Sequence, residues 1–271
     1  MTRVIAEIGW NHMGDMNLAK KMIEEAFNAG AYFAKFQTWS VSRLKAGEWD
    51  QDGRRDIYNK AELSEDKHIE LINYCHHLGI SFMSSAFSVK DASLLNNLKQ
   101  KSVKIPSFEV GNVALLRFCD QNFEELIIST GTATKSEIDQ ISNLVDVQKS
   151  TIMHCVSSYP CGIENANLSR INYLLSKFPS VGYSDHVSGV DASIYALQYP
   201  LKYIEKHFTV DHELPGRDNK FAILPSELKV LTDHIQQRSK AFQDLGVDYQ
   251  KIELSSRNEY RGRFNLSSIP Q

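Results

Sequence analysis

The chain has 271 residues, which suits one large domain or two small ones, and a single (β/α)8 barrel of typically about 250 residues would use nearly all of them. With 42% hydrophobic and 23% charged residues, the composition is that of an ordinary globular protein. The formal net charge of −3 provides no basic field, which excludes nucleic acid as the expected partner.

The sequence predicts a soluble, cytoplasmic protein without a membrane partner. The N-terminal stretch MTRVIAEIGWNH lacks the apolar region of a signal peptide, and no segment approaches the roughly 20 apolar residues of a membrane span. The four cysteines have no CxxC spacing, which predicts reduced thiols without a catalytic role. Cys155 follows His154, and because successive side chains of a strand face opposite ways, no Cys–His pair is expected.

Eight short apolar runs, rich in β-branched and aromatic residues, predict eight strands. They cover residues 4–9, 32–38, 80–87, 102–107, 126–131, 151–157, 181–186 and 203–209. Helical patterns lie between them, one with Asn17 as its N-cap and Gly30 after its end, another from Ser64 to Gly79. Strand–helix alternation repeated eight times predicts an α/β fold, a single-domain (β/α)8 TIM barrel.

Two segments fall outside this regular pattern. Residues 40–63 form a long, charged connection, predicted to be a loop that is either functional or a plain surface excursion. The barrel is predicted to occupy residues 1–250, and residues 251–271 lack apolar periodicity and are interpreted as a C-terminal extension or truncated linker.

Polar residues recur at the carboxyl ends of the predicted strands, where barrel enzymes carry their chemistry. In chain order they are Glu7, Asn11, His12, Lys35, Gln37, Ser84, Ser85, Lys104, Ser107, Glu109, Ser129, Thr130, His154, Ser157, Tyr159, Ser184, Asp185, His186, Glu205 and His207. Any one of these residues, taken alone, is explained by a structural hydrogen bond. Interior barrel positions normally hold branched apolar residues, so recurrence on eight strands predicts an active site at this end.

The residue types predict a metal-assisted reaction on an anionic small molecule. His186 and His207 end adjacent strands, and two neutral imidazoles suit Mn²⁺, Zn²⁺, Co²⁺ or Fe²⁺. Glu7 faces the same end and could move protons or orient water. A cradle for a phosphate and a carboxylate is predicted from Lys35, Lys104, Ser107, Ser129, Ser184 and the backbone N–H groups around Gly131.

The motifs, in this order, resemble the sialic acid synthase family, the phosphoenolpyruvate-condensing enzymes of nonulosonic acid biosynthesis. The matching stretches include IAEIGWNHMGD, KIPSFEVGN, STGTAT, HCVSSYP, GYSDHVSG, IEKHFTVD and PGRDNKFAI, and the resemblance covers essentially the whole barrel. It implies a transferase that joins phosphoenolpyruvate to the aldehyde of an N-acetylated hexosamine, giving a 3-deoxy-2-keto sugar acid and phosphate with C–O cleavage. It also implies Mn²⁺, with Mg²⁺ or Co²⁺ as alternatives, held by His186 and His207.

Carried over position by position, the resemblance implies roles for the remaining residues. Phosphoenolpyruvate would be bound by Lys35, Lys104, Ser107, Ser129 and Ser184, and Glu7 would serve the proton transfers. The sugar would contact Gln37, Tyr159 and Asp218, with Glu109 and Glu205 as supporting polar groups. Ser85 and Ser157 stand at substrate-binding positions where the family usually carries other residues.

The departures from the family pattern concentrate at the sugar end. The third strand ends in Ser85-Ala86-Phe87-Ser88 instead of a Thr-Pro-Phe-Asp-like sequence, Ser157 replaces an asparagine, and Phe108 stands where glycine is common. The antifreeze-like domain, which in the family supplies an arginine to the partner subunit's site, is expected to be absent. A homo-oligomer or a separate partner chain could supply the missing domain, and the resemblance leaves both open.

Two other functions are compatible with the residues. A metal-dependent 2-keto acid aldolase or lyase could use the same barrel, with pyruvate as its substrate and without release of phosphate. A non-catalytic homologue that binds a sugar or a partner subunit is the second alternative. Retention of both lysines, both histidines and Glu7 argues against it, because buried charges are costly to keep without a role.

Overall fold

Eight parallel strands close into a barrel in the computed structural model, which describes residues 1–48 and 51–264. They are β1 (Arg3–Gly9), β2 (Phe33–Thr38), β3 (Ser81–Ala86), β4 (Ser102–Ile105), β5 (Glu125–Ser129), β6 (Ser150–Cys155), β7 (Val181–Asp185) and β8 (Tyr203–His207). Each strand pairs in parallel with the next, and β8 pairs with β1. The predicted (β/α)8 barrel is confirmed, although most strands end one or two residues earlier than predicted.

Helices alternate with the strands along the chain. They are α1 (Met16–Asn28), α2 (Arg54–Ala61), α3 (Glu65–Leu78), α4 (Val89–Asn97), α5 (Val113–Asn122), α6 (Lys135–Gln140), α7 (Arg170–Leu175), α8 (Asp191–Ala196), α9 (Pro225–Ala241) and α10 (Leu254–Tyr260). Ser64 caps α3 and Gly79 ends it with φ 85°, as predicted. The predicted cap of α1 is wrong by two residues, because the Asp15 carboxylate accepts the N–H groups of Asn17 and Leu18.

The segment between β2 and α3 is not a plain loop, contrary to the prediction for residues 40–63. It contains a 3₁₀ turn (Val41–Arg43) and the helix α2, while residues 49–50 lie outside the described residues. The first compact unit is Met1–Gln236 and the second begins at Gln237. The division predicted at residue 250 stays a prediction, and residues 265–271 of the predicted tail also lie outside the described residues. None of the helices in the described part of the chain is both long and apolar enough to cross a membrane.

The barrel interior contains two layers of side chains with opposite character. The lower layer is apolar and consists of Ile5, Phe33, Met83, Ile127, Met153 and Tyr203. Two residues further along each of these strands, and therefore on the same side of the strand, the upper layer carries Glu7, Lys35, Ser85, Ser129, Cys155 and Glu205. A larger apolar core fills the space between the strands and the helices. The fold thus places a packed apolar layer directly beneath the polar residues.

Candidate active site

A cavity of about 390 Å³ opens at the carboxyl ends of the strands. Most of the predicted site residues line it, namely Glu7, Lys35, Gln37, Ser85, Lys104, Ser107, Ser129, Tyr159, Ser184, His186, Glu205, His207 and Asp218. The barrel therefore brings together side chains that are separated by up to about 200 positions in the sequence. Glu109 and Ser157 are not among the lining residues.

Four buried charged groups form the floor of this cavity. Lys35 Nζ lies 2.7 Å from Glu7 Oε2 and 3.5 Å from Glu205 Oε2. Lys104 Nζ lies 3.8 Å from Glu205 Oε1. Isolated charges at this depth would be strongly unfavourable, so the alternation of ammonium and carboxylate groups is what allows all four to remain buried.

The two carboxyl groups of the floor differ in acidity. Burial raises the pKa of Glu7, and the neighbouring Lys35 offsets this only in part. Glu205 is equally buried, but Lys104 and Lys35 together outweigh burial and lower its pKa. Glu7 is therefore the carboxyl group that binds a proton more readily, while Glu205 remains ionised between the two lysines.

Hydroxyl and amide groups hold the charged side chains in place. Lys35 Nζ donates to Ser85 Oγ at 2.9 Å, and Lys104 Nζ donates to Ser129 Oγ at 2.6 Å. The Gln37 side-chain amide donates to Glu7 Oε1 at 2.7 Å. Each contact comes from the same or a neighbouring strand, so the orientation of the floor follows directly from the strand register.

The loop after β5 packs closely against this floor. The Gly131 N–H donates to Ser107 Oγ at 3.0 Å. A Cβ atom on Gly131 would lie 2.2 Å from Ser157 Oγ and 2.7 Å from Ser107 Oγ, so only glycine fits. Ser157 therefore lies close to Gly131, and it does not line the cavity.

His186 and His207 face each other at the opposite wall, with ring centroids 5.4 Å apart. His186 Nδ1 lies 2.8 Å from the carbonyl oxygen of Val156, and since a carbonyl only accepts, Nδ1 donates and Nε2 has a lone pair when the ring is neutral. Burial lowers the pKa of His186, but Cys155, Val156 and Glu205 outweigh burial and raise it. His207 Nδ1 is buried and lacks a hydrogen bond to any described residue; it lies 3.7 Å from Asp218 Oδ2. The ring of Tyr159 covers the pair, 4.1 Å from the ring of His186.

The two imidazoles fit a divalent transition metal ion. Burial, together with the nearby His186, lowers the pKa of His207 well below its usual value, so its ring is neutral and available as a ligand. The backbone carbonyl at the second nitrogen of His186 is the arrangement that orients metal-binding histidines. The described residues contain no group of three or more His, Cys, Asp or Glu side chains that could hold a metal.

A buried ion pair on the outer side of the barrel fixes the backbone around both histidines. Asp185 Oδ2 lies 3.2 Å from Lys206 Nζ, and Asp185 Oδ1 accepts the N–H of Val187 at 2.8 Å. Lys206 also donates to the carbonyl oxygen of Val187. Asp185 directly precedes His186 and Lys206 directly precedes His207, so this pair holds the ends of β7 and β8 in register.

Cys155 lines the cavity, although no role was predicted for it. The predicted absence of a pair with His154 is correct, since that imidazole lies on the other side of β6 against the carbonyl oxygen of Ala166. However, Cys155 Sγ lies 3.8 Å from His186 Nδ1, a Cys–His contact that was not predicted. Burial raises the pKa of Cys155, but His186, Ser107 and Lys104 together outweigh burial and bring it down to about 7. Cys155 lies two residues after Met153 on β6. The alternation of side chains along a strand could therefore have predicted that this thiol faces the cavity.

Glu109 does not line the cavity, and its predicted supporting role stays a prediction. The 3₁₀ turn Ser107–Glu109 directs its carboxylate to Asn112, whose side-chain amide donates at 2.7 Å. Asn112 in turn caps α5. Other lining residues were not predicted as substrate contacts: Trp10, Arg54, Ile57, Tyr58, Phe87, Pro106, Phe108 and Arg217. Trp10 and Phe87 directly follow strands, and Arg54, Ile57 and Tyr58 belong to α2. Of the eight, only Phe108 was noted from the sequence, as a departure from the family pattern.

The fold and the cavity define an enzyme of the nonulosonic acid synthase class. The chain matches the NeuB family over residues 22–246 and belongs to that family. It is 36% identical over 260 residues to the N,N'-diacetyllegionaminic acid synthase of Campylobacter jejuni, covering 90% of this chain and 78% of that protein. It is 31% identical over 269 residues to the pseudaminic acid synthase of the same species, covering 94% and 78%.

Solved structures agree with this assignment. The N-acetylneuraminic acid synthetase of Leptospira borgpetersenii, determined in complex with citrate, superposes with a TM-score of 0.83 at 32% identity, covering 96% of this chain and 92% of that chain. A truncated 3-deoxy-D-arabino-heptulosonate 7-phosphate synthase of Thermotoga maritima superposes with a TM-score of 0.68 at 12% identity, which shows the shared fold alone.

Proposed function

We propose that this enzyme condenses phosphoenolpyruvate with the open-chain aldehyde of an N-acylated amino sugar, giving a sialic-acid-like 3-deoxy-2-keto acid and phosphate. The observation that carries the proposal is the combination, in one cavity, of a buried two-lysine floor and a facing pair of histidines. The two lysines suit a small molecule with two anionic groups, and the two histidines suit activation of a carbonyl group.

Phosphoenolpyruvate would bind over the lysines. Lys35 and Lys104 supply the positive charge for its phosphate and carboxylate groups, and the hydroxyls of Ser107 and Ser129 lie beside them. These side chains are held by buried contacts before any substrate arrives, so little ordering is required on binding. Glu205 separates the two ammonium groups and keeps them from repelling each other.

The sugar aldehyde would be placed at the histidine wall. A divalent ion such as Mn²⁺, held by His186 and His207, would supply a Lewis acid for the aldehyde oxygen. Tyr159 packs over the two imidazoles and covers this part of the cavity. Asp218 lies beside His207 and is available to accept a hydrogen bond from a sugar hydroxyl.

Glu7 would handle the protons of the reaction. Carbon 3 of phosphoenolpyruvate bonds to the aldehyde carbon, water adds to carbon 2, and the C–O bond to phosphate then breaks. The added water loses two protons as the keto group forms: one goes to the aldehyde oxygen, and the other leaves with the phosphate. Glu7 suits these transfers because burial raises its pKa and Gln37 fixes its orientation.

The direct test measures phosphate release from phosphoenolpyruvate after removal of metal, with and without added Mn²⁺, across a panel of hexosamines and shorter aldoses. We expect release only when metal and an aldose are both present, with the bridging oxygen of labelled phosphoenolpyruvate recovered in phosphate. Consumption of pyruvate without phosphate release would instead support the aldolase alternative. Sugar binding without turnover of any aldose would support the non-catalytic alternative.

A further inference from the structure

Three buried polar side chains form a hydrogen-bonded network on the outer side of the barrel, between the strands and α3. Thr38 Oγ1, at the end of β2, lies 2.8 Å from His68 Nε2 on α3 and 2.7 Å from Ser84 Oγ on β3. All three residues are almost completely buried, and none of them lines the catalytic cavity. We refer to Thr38, His68 and Ser84 as the outer network.

The hydrogen bonds of the outer network run in one direction, which follows from the histidine. His68 Nδ1 lies 2.8 Å from the carbonyl oxygen of Ser64, and since a carbonyl only accepts, Nδ1 donates and Nε2 accepts. Thr38 therefore donates its proton to His68 and accepts from Ser84. Burial lowers the pKa of His68, so the ring is neutral and keeps Nε2 as an acceptor. The central hydroxyl of Thr38 thus connects α3, β2 and β3.

The outer network is connected to the floor of the catalytic cavity through the backbone. Thr38 directly follows Gln37, whose side-chain amide orients Glu7 at 2.7 Å. Ser84 directly precedes Ser85, which accepts from a floor lysine at 2.9 Å. Successive side chains of a strand face opposite ways, so the outer network and these two inward side chains lie on opposite sides of the same backbone. Gln37 and Ser85 also pair in the register of β2 and β3, so a bond between these strands outside the barrel fixes both inward side chains.

Stability alone does not require polar groups at these positions. Apolar side chains of similar shape could pack here without removing hydroxyls and an imidazole from water, and replacing all partners of a hydrogen bond in this way is nearly neutral. Hydrogen bonds are directional, so they fix the strand ends more closely than apolar contacts do. The Asp185–Lys206 pair stands in the same relation to the two histidines on the other side of the barrel.

We propose that the outer network holds the charged floor of the catalytic cavity in position, with Thr38 and His68 as positioning residues for Lys35 and Glu7. This inference rests on the proposed function, in which Lys35 binds phosphoenolpyruvate and Glu7 transfers protons. Loss of the outer network should therefore weaken phosphoenolpyruvate binding and slow turnover. The aldose is placed at the histidine wall on β7 and β8, so its binding should be unaffected.

The test compares Thr38→Val, which removes the central hydroxyl and keeps the branched shape, with Thr38→Ser, which keeps the hydroxyl. We expect Thr38→Val to raise KM for phosphoenolpyruvate about 10-fold and to lower kcat about 10-fold, with KM for the aldose changed by less than about 2-fold. Thr38→Ser should stay within about 3-fold of the wild type in all three constants. His68→Gln, whose side-chain oxygen can accept from Thr38, should likewise retain function, whereas His68→Leu should behave as Thr38→Val.

Kinetic constants are measured well below the unfolding midpoint of each variant. Lower midpoints in Thr38→Val and His68→Leu with unchanged KM and kcat would overturn the positioning role and leave the proposed reaction standing. If Thr38→Val does not fold, the comparison of His68→Leu with His68→Gln decides the question by the same constants.

Failure of the wild-type enzyme to release phosphate with any aldose would overturn the proposed reaction, and calorimetric binding of inorganic phosphate would then decide the positioning role. Binding about 10-fold weaker in Thr38→Val than in Thr38→Ser would support it. Equal affinities in the two variants would overturn it.

Discussion

The two layers of the barrel interior are built on the same strands and differ completely in character. Ile127 and Met153 belong to a dry apolar layer, while Ser129 and Cys155, two residues further along the same strands, line the cavity. Two residues along a strand correspond to about 7 Å. One repeat of the strand pattern thus separates the packed apolar layer, which stabilises the barrel, from the paired charges of the cavity above it.

The largest expected effect follows from removing a histidine of the proposed metal site. His207→Ala should lower kcat by about 10³–10⁴-fold, because a Lewis acid at the aldehyde is expected to contribute several kcal/mol. Its fold should persist with a lower thermal midpoint, since His207 Nδ1 forms no hydrogen bond with a described residue but its buried ring packs against Tyr159 and Phe221. Steady-state phosphate release and thermal unfolding measure both quantities.

The matched control is His212→Ala, at an exposed histidine that does not line the cavity. It should keep wild-type kcat. Full turnover by His207→Ala would remove His207 from the proposed metal site.

The next effect concerns a buried ion pair that stabilises the fold and does not line the cavity. Asp185→Asn breaks the pair with Lys206 and leaves a buried ammonium group without a counter-ion, which should cost about 3–5 kcal/mol of unfolding free energy. Chemical denaturation measures this change. Adding Lys206→Met to Asp185→Asn should recover much of the loss, because the asparagine amide can still hydrogen-bond Val187 and Ser193. A double variant no more stable than Asp185→Asn would contradict the role of the pair.

A matched pair of substitutions on β5 tests the two layers directly. Ile127→Ala should cost about 2–5 kcal/mol of unfolding free energy, because it leaves a cavity in the packed layer. Ser129→Ala should cost little stability but weaken phosphoenolpyruvate binding about 10-fold, since it removes the hydroxyl that positions Lys104. Denaturant titration and KM for phosphoenolpyruvate are the measurements. Equal losses of stability in both variants would show that the layers are not separate.

A smaller, pH-dependent effect is expected from His154, which lies on the outer side of β6. Burial lowers the pKa of His154 from 6.5 to about 4, although its hydrogen bond to Ala166 partly opposes this. The unfolded chain therefore binds a proton that the folded chain does not, so stability is fully present above pH 6.5 and decreases as the pH falls toward 4. The contribution is about 3 kcal/mol. His154→Gln should make the free energy of unfolding less dependent on pH in this range. An unchanged slope would contradict the lowered pKa of His154.

The sequence predicted the barrel and most of the cavity because both follow from local periodicity. Strand–helix alternation determined the fold, and period-two spacing placed Lys35 beside Gln37 and Glu205 beside His207. It could not predict the contacts that depend on packing between distant segments. Cys155 meets His186 across two strands, and Glu109 is turned toward Asn112 by a short 3₁₀ turn. Trp39 and Tyr58 come from a segment without periodic pattern, and only the folded chain brings their rings together.

The four charges of the cavity floor have a consequence for how substrate enters. Two ammonium groups and two carboxyl groups alternate in the floor, so their charges cancel when all four groups are ionised. Phosphoenolpyruvate bound over the lysines would bring new negative charge beside Glu7, whose pKa burial already raises, so Glu7 is the group expected to take up a proton. Binding would then be coupled to proton uptake from the buffer, and the calorimetric heat of binding should depend on the ionisation enthalpy of the buffer chosen.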